Sequence, residues 1–391
     1  MIYKSFKNLN ISMLGMGNMR LPTVGERAPI DEPKAREIIE HAYAAGINYF
    51  DTAYMYHNGE SESFVGKVLG QYPRETWHIV SKMPGHSMKY ENGKLDFIGL
   101  MSGQPSVTVP EIFETQLKRC NVDYFDFYML HNVCETAYEL YTNEELGIVK
   151  YLLEQKKAGR IRHLGFSAHG RADTINRFLN HYKNCFEFVQ IQLNYLDWTL
   201  QDAKSKYEVI TKHGLPVIVM EPVRGGSLAS LNCTATAMLK SQRPYDTIVS
   251  WAFRYLQSLP NVLTVLSGMS DMKQLTDNIQ TFAKPDPTTE AENMLLDKVV
   301  HTMASLVPCT SCRYCCDGCP QRLDIPKLIS MYNEKNNGAR DLIMAFTLNA
   351  MKEDELPTAC IDCGACTQLC PQNIDIPEIM RKFDTLLSSP K

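Results

Sequence analysis

Cysteine placement constrains this chain more than any other feature. Two segments repeat the pattern C-x2-C-x2-C-x3-C-P: Cys309, Cys312, Cys315 and Cys319 before Pro320, then Cys360, Cys363, Cys366 and Cys370 before Pro371. Three thiolates at this spacing wrap a loop around one iron-sulfur cubane, while the fourth is displaced enough to reach a second cluster. The spacing predicts two [4Fe-4S] clusters with crossed ligation. Cys309, Cys312, Cys315 and Cys370 would hold one, and Cys360, Cys363, Cys366 and Cys319 the other. A pair of zinc sites is the alternative; four cysteines and a proline in each copy favour clusters. Cys316, directly after a predicted ligand, reads as a bystander, with an alternative ligand as the second reading.

Nine of the 13 cysteines lie beyond residue 308. Cys120, Cys134, Cys185 and Cys233 stand singly and read as small buried hydrophobes. The N-terminal stretch MIYKSFKNLNISML lacks the apolar core of a secretory signal, so thiols or metal ligands are expected rather than disulfides. No run approaches the roughly 20 apolar residues that a membrane helix needs. A soluble cytoplasmic protein without a membrane partner is expected. The formal net charge of -4 gives no electrostatic reason to expect nucleic acid.

Between residues 11 and 282, short apolar runs alternate with longer amphipathic stretches, the pattern of repeated strand-helix units around a parallel sheet. Strands are predicted over 12–16, 47–51, 77–82, 125–130, 161–166, 188–192, 216–220 and 262–266. Helical stretches cover 32–45, 62–69, 110–120, 144–158 and 172–181, with Gly46, Gly70 and Gly159 placed to end three of them. Eight such units predict a (β/α)8 barrel. The Gly-, Pro- and Ser-rich segment 83–109 follows the third strand, on the end of a barrel that carries its active site. Its His86, Tyr90 and Phe97 read as exposed loop residues, with pocket lining as the alternative.

The two prolines of KPDPTT, residues 284–289, mark a linker. The expected division is therefore a barrel over 1–283, a linker and helix over 284–307, and a two-cluster domain over 308–391. Between the motifs, 321–359 reads as two helices, 325–335 and 339–353. With them the C-terminal part resembles the α-helical ferredoxin domains that serve as electron conduits in multisubunit dehydrogenases.

Asp51, Tyr56, Lys82 and His131 fall at or just after consecutive predicted strands. Side chains at the C-terminal ends of barrel strands converge, so an acid, a phenol, an amine and an imidazole there read as catalytic. Lys82 paired with Asp51 is expected to depress the pKa of Tyr56, which would give a proton to a carbonyl oxygen that His131 orients.

Over residues 1–283 the chain resembles the aldo-keto reductases. GINYFDTAYMYHNGESE, residues 46–62, is similar to that family's Asp-Thr-Ala-x-x-Tyr signature; IVSKMP carries its lysine and FDFYMLHN its histidine. The resemblance implies the tetrad Asp51, Tyr56, Lys82 and His131, and NAD(H) or NADP(H) bound without a Rossmann fold. It also implies nucleotide contacts at Gly17, Asn18 and Met19, at Ser167, Gln190 and Met220, at Pro222, Val223 and Gly226, and at Ser267, Gly268, Gln274, Asp277 and Asn278. Met220 replaces a tyrosine that stacks on the nicotinamide in many members. Gly268 and Gln274 stand where NADP-preferring members have cations, which implies a leaning toward NADH, with Lys273 as a neighbour that could substitute.

The leading expectation is hydride exchange between a nicotinamide and a small carbonyl or alcohol, with the clusters carrying electrons to or from a redox protein partner. A variant makes the cluster domain a structural lid. The alternative from another class is an electron-transfer subunit with a non-catalytic barrel.

Overall fold

In the computed structural model, the described residues are 1–25, 29–98, 103–303, 306–336, 348 and 351–388. Eight parallel strands close into a barrel: β3 (Leu14–Gly17), β4 (Tyr49–Asp51), β5 (His78–Met83), β8 (Phe125–Val133), β9 (Ile161–Ala168), β10 (Val189–Gln192), β11 (Val217–Met220) and β12 (Val262–Ser267). Each coincides with a predicted strand to within three residues at either end. These segments are rich in apolar residues because both faces of a barrel strand are covered, with polar residues such as Asp51, Lys82 and Gln190 among them. β5 and β8 are buried at every position.

Local signals place the helices between them. Thr108 and Glu111 form a reciprocal capping box at the start of helix Val109–Cys120, Pro110 occupies its first turn, and Asn121 closes it in the left-handed conformation. Asp31 caps helix Glu32–Ala44 by its side chain alone, accepting from the Lys34 amide. Helix Glu60–Leu69 lies so close to Val109–Cys120 that a Cβ on Gly66 would stand 2.1 Å from the carbonyl oxygen of Cys120.

Two hairpins escaped the sequence reading. β1 (Tyr3–Phe6) and β2 (Leu9–Ser12) precede the barrel, and Phe6 and Ile11 pack into its interior with Tyr49, Phe127, Phe188 and Ile218. β6 (Met88–Glu91) and β7 (Lys94–Phe97) lie inside the segment expected to be loop. Asn92 and Gly93, with φ of 53° and 75°, supply the two left-handed residues of a tight hairpin turn. Phe97 is buried against the Tyr54 ring, not exposed.

The chain forms two compact units. The first consists of Met1–Ile98, Gly103–Pro222 and Val249–Thr289; the second includes Val223–Ile248 together with Glu290–Lys391. The segment after β11, which the expected division placed in the barrel, thus clusters with the C-terminal part. The second unit has its own core, in which Leu323, Leu328 and Ile329 meet Ile376, Met380 and Phe383. Helix Ile325–Asn336 matches expectation, while most of the expected helix 339–353 lies outside the described residues. Among the described residues, no helix is long and apolar enough to cross a membrane.

Replacing Gly66 with Ala should cost about 2 kcal/mol, since the new methyl has only backbone to push against. Urea denaturation of the barrel should show an earlier midpoint with an unchanged slope; an unaltered midpoint would mean that the two helices can separate freely.

Candidate functional site

Strand register brings Asp51, Lys82 and His131 to one end of the barrel, and the 3-10 turn Tyr56–Gly59 after β4 adds Tyr56. Gly17 pairs with Asp51 across β3 and β4, and Lys82 pairs with Met129 across β5 and β8. The Lys82 ammonium is wholly buried and donates to Asp51 Oδ1 at 2.6 Å and to the Thr52 carbonyl at 2.7 Å. It also reaches the Tyr56 hydroxyl at 3.3 Å, while the Tyr56 and His131 ring centroids lie 6.1 Å apart. His131 sits within β8, because that strand runs three residues further than predicted.

Burial governs the electrostatics of this cluster. It raises the Asp51 carboxyl and lowers the Lys82 ammonium, and the attraction between the two opposes both shifts. Tyr56 corrects the sequence expectation. Its hydroxyl is held well above the ordinary phenol range by burial, with the negative charges of Asp51 and Glu221 adding to the rise and Arg20 opposing it. Proximity to Lys82 does not outweigh desolvation of the phenolate. Burial likewise drives His131 well below its ordinary value, helped by His86, Lys82 and His169. The resting site therefore presents a protonated phenol and a neutral imidazole.

A second layer fixes these groups. Glu62, fully buried, accepts from Ser81 Oγ at 2.5 Å and from Gln116 at 2.7 Å, with Arg119 at 3.3 Å. Gln116 also donates to the Lys82 carbonyl at 3.1 Å. The Tyr141 hydroxyl is within hydrogen-bond distance of the carbonyls of His131, at 2.6 Å, and Met83, at 3.1 Å, tying β8 to β5. His86 packs edge-on against His131 with centroids 4.3 Å apart. Glu62, Gln116, Tyr141 and His169 were missed as site residues, and pocket lining was only the second reading of His86, since they come from helices and loops whose convergence no local pattern announces.

Most of the nucleotide candidates gather at the same strand ends. Asn18 is buried and donates to the Asp51 carbonyl at 2.9 Å, and Met19 follows it in a short 3-10 turn. Ser167 Oγ accepts the Asn132 amide at 2.9 Å; the Gln190 amide lies 3.5 Å from the Met220 sulfur. The acceptor oxygens of Asn18 and Gln190 are buried without a hydrogen-bond partner among the described residues. After β12, Asn278 donates to Ser267 Oγ at 3.0 Å and Gln274 accepts the Ser270 amide at 2.9 Å. Asp277 is one helical residue before Asn278, and its carbonyl accepts from Thr281. The Arg20 side chain lies across Gly268, 3.2 Å from where a Cβ would stand, and its guanidinium is 3.8 Å from Glu221. Pro222 ends its section of the first unit, whereas Val223 and Gly226 belong to the second.

The eight motif cysteines line two recesses in the second unit. One, of about 290 Å³, is bounded by Cys309, Cys312, Cys315 and Cys370; the other, of about 330 Å³, by Cys319, Cys360, Cys363 and Cys366. Each draws its fourth thiol from the opposite motif. Cys316 is buried beside Cys315 and lines neither recess.

Barrel, polar cluster and cysteine recesses together define an oxidoreductase fused to an iron-sulfur module. Residues 13–300 match the aldo/keto reductase family, and residues 308–374 match the 4Fe-4S dicluster domain. The chain belongs to the aldo/keto reductase family and carries a C-terminal 4Fe-4S dicluster domain. It is 30% identical over 274 residues to a probable aldo-keto reductase of Glycine max, covering 69% of this chain and 72% of that one. It is 25% identical over 302 residues to an NADH-specific methylglyoxal reductase of Escherichia coli, covering 70% and 90%. Among solved structures, the holo form of an aldo-keto reductase from Bacillus halodurans superposes with a TM-score of 0.58 at 26% identity, covering 76% of this chain and 95% of that one.

Burial holds His86 down to about 4 and His169 to about 3, against an ordinary value of 6.5. Between 6.5 and those values the unfolded chain binds protons that the fold does not, so their contribution to stability is whole above pH 6.5 and is lost as pH falls toward about 4 for His86 and about 3 for His169. The denaturation midpoint should drop between pH 7 and pH 5, and His169→Gln should make that drop shallower. An identical slope in the variant would show that His169 titrates normally.

Proposed function

We propose that the barrel exchanges hydride between a nicotinamide dinucleotide and a small carbonyl or alcohol, and that the motif cysteines hold two [4Fe-4S] clusters with crossed ligation. The observation that carries the first half is one buried ammonium, Lys82, in reach of both Asp51 and Tyr56. A phenol kept protonated has a proton to give to the oxygen of a reduced carbonyl. Lys82 stabilises the phenolate left behind, and Asp51 keeps Lys82 charged in a site where burial opposes that charge. Neutral His131 supplies a hydrogen bond that orients the substrate oxygen.

When bound, the dinucleotide supplies or accepts the hydride. The unpartnered acceptors of Asn18 and Gln190 suit the amide N–H groups of a carboxamide, with Ser167 beside them. Within the first unit, Gly17, Met19, Met220, Pro222, Ser267, Gly268, Gln274, Asp277 and Asn278 complete the contacts that the family resemblance implies. Among the described residues, the Arg20 guanidinium beside Gly268 lies 3.8 Å from Glu221 and Gln274 accepts the Ser270 amide, so the loop offers a 2'-phosphate little beyond the neighbouring Lys273. This supports NADH over NADPH, in keeping with the NADH-specific relative.

Hydride carries two electrons and each cluster takes one, so the two chemistries need a mediator such as a flavin. We assign the mediator to a separate redox protein with which the clusters exchange electrons. If the dicluster domain is a structural lid instead, anaerobic NADH and substrate will leave the clusters oxidised by EPR even with candidate flavoproteins added.

Tyr56→Phe should lower NADH-dependent carbonyl reduction by about a thousandfold while leaving cluster absorbance intact. Steady-state kinetics of wild type and variant with both nucleotides check this, and unchanged turnover removes Tyr56 from the mechanism. Cys319→Ser should damage chiefly the cluster of Cys360, Cys363 and Cys366. Iron content should fall toward half with one EPR signal retained; loss of the signal that needs Cys309, Cys312 and Cys315 would refute crossed ligation.

A further inference from the structure

In the segment Val223–Ile248, three left-handed residues follow Val223 in succession, Arg224, Gly225 and Gly226, at φ of 50°, 62° and 99°. Glycine adopts this conformation freely, but Arg224 does so at a cost, and such strain persists only where surrounding contacts enforce it. The contacts here lie against the first cysteine loop. A Cβ on Gly225 would stand 2.1 Å from the Thr310 carbonyl oxygen, so two backbones touch directly. The Arg224 guanidinium, with the residue only 1% exposed, donates to the Pro308 carbonyl at 2.8 Å. Pro308 immediately precedes Cys309. On its other side the loop is gripped by Asn333, whose side chain pairs with both the amide and the carbonyl of Val307 at 2.8 and 3.0 Å.

The two recesses differ in charge. Arg313 lines that of Cys309, Cys312, Cys315 and Cys370, and is paired with Asp324 at 3.2 Å. None of the described residues lining the other recess is charged. Arg224 thus adds a buried cation on the side of one recess only.

We propose that Arg224 tunes the cluster of Cys309, Cys312, Cys315 and Cys370, raising its reduction potential relative to what the recess alone would give. This rests on the cysteines holding clusters as proposed above. A cubane with four thiolate ligands is an anion, and reduction by one electron makes it more negative. A cation held in a low-dielectric surround favours the more negative state, so reduction becomes easier. Arg224 is a positioning and tuning residue in this scheme and takes no part in bond making.

Anaerobic redox titration of the full-length holoprotein, followed by EPR, tests the idea with Arg224→Gln and Arg224→Lys. Glutamine keeps a donor for the Pro308 carbonyl and removes the charge; lysine keeps the charge. Arg224→Gln should lower the midpoint of one of two waves and leave the other in place, and Arg224→Lys should stay near wild type. The wave that moves should be the one that survives Cys363→Ser, since Cys363 lines the other recess. The proposal is overturned if neither wave moves, if both move together, if the wave lost in Cys363→Ser is the one that moves, or if lysine behaves as glutamine does. Should Arg224→Gln lose a cluster outright, full iron content in Arg224→Lys supports the charge role and loss in both variants refutes it. Absence of any cluster signal in wild type would instead remove the functional reading itself.

Discussion

One ammonium group, buried beneath the mouth of the barrel, organises the first unit. Lys82 has no access to water, so its charge is tolerable only because a carboxylate, a backbone carbonyl and a phenol surround it. Each of those partners is in turn fixed. Asp51 ends a strand whose neighbours set its register, Thr52 follows it, and the layer of Glu62, Ser81 and Gln116 closes behind the lysine backbone. Removing any member would leave a polar group stranded in a low dielectric. The polar cluster is thus costly to the fold, which is what a site kept for chemistry looks like.

The same burial decides what that chemistry can be. Desolvation acts against every charged form it encloses, pushing the phenol and the imidazoles toward neutrality more strongly than any single neighbour pulls them away. A site of this kind is a poor home for a resting phenolate or an imidazolium. It is a good one for a proton that leaves only when charge builds on a nearby oxygen.

Much of this could be read in the sequence because its signals are local. The eight barrel strands announce themselves as apolar runs bounded by turn residues, and Asp51, Lys82 and His131 fall at their ends. The hairpin β6–β7 was hidden because its strands, MKYE and KLDF, are short and half polar, although Asn92-Gly93 was a legible turn signal. The sign of the Tyr56 shift was unreadable for a different reason. Spacing shows which charges are near but not how much water is excluded, and exclusion proved the larger effect. The allegiance of Val223–Ile248 to the second unit was equally out of reach, since it depends on contacts with residues some 80 positions away.

The crossed lining of the two recesses has a consequence for how the protein is made. Neither recess has its full set of thiols until the second motif has been synthesised, since the recess that includes Cys319 is complete only at Cys366 and that of Cys309, Cys312 and Cys315 only at Cys370. A ribosome releases the barrel long before that point, so the first unit can fold cotranslationally while the second stays unfinished. With clusters bound as proposed, iron delivery is the closing event of biogenesis, and a cell short of iron or sulfide accumulates chains whose cysteine recesses stay open.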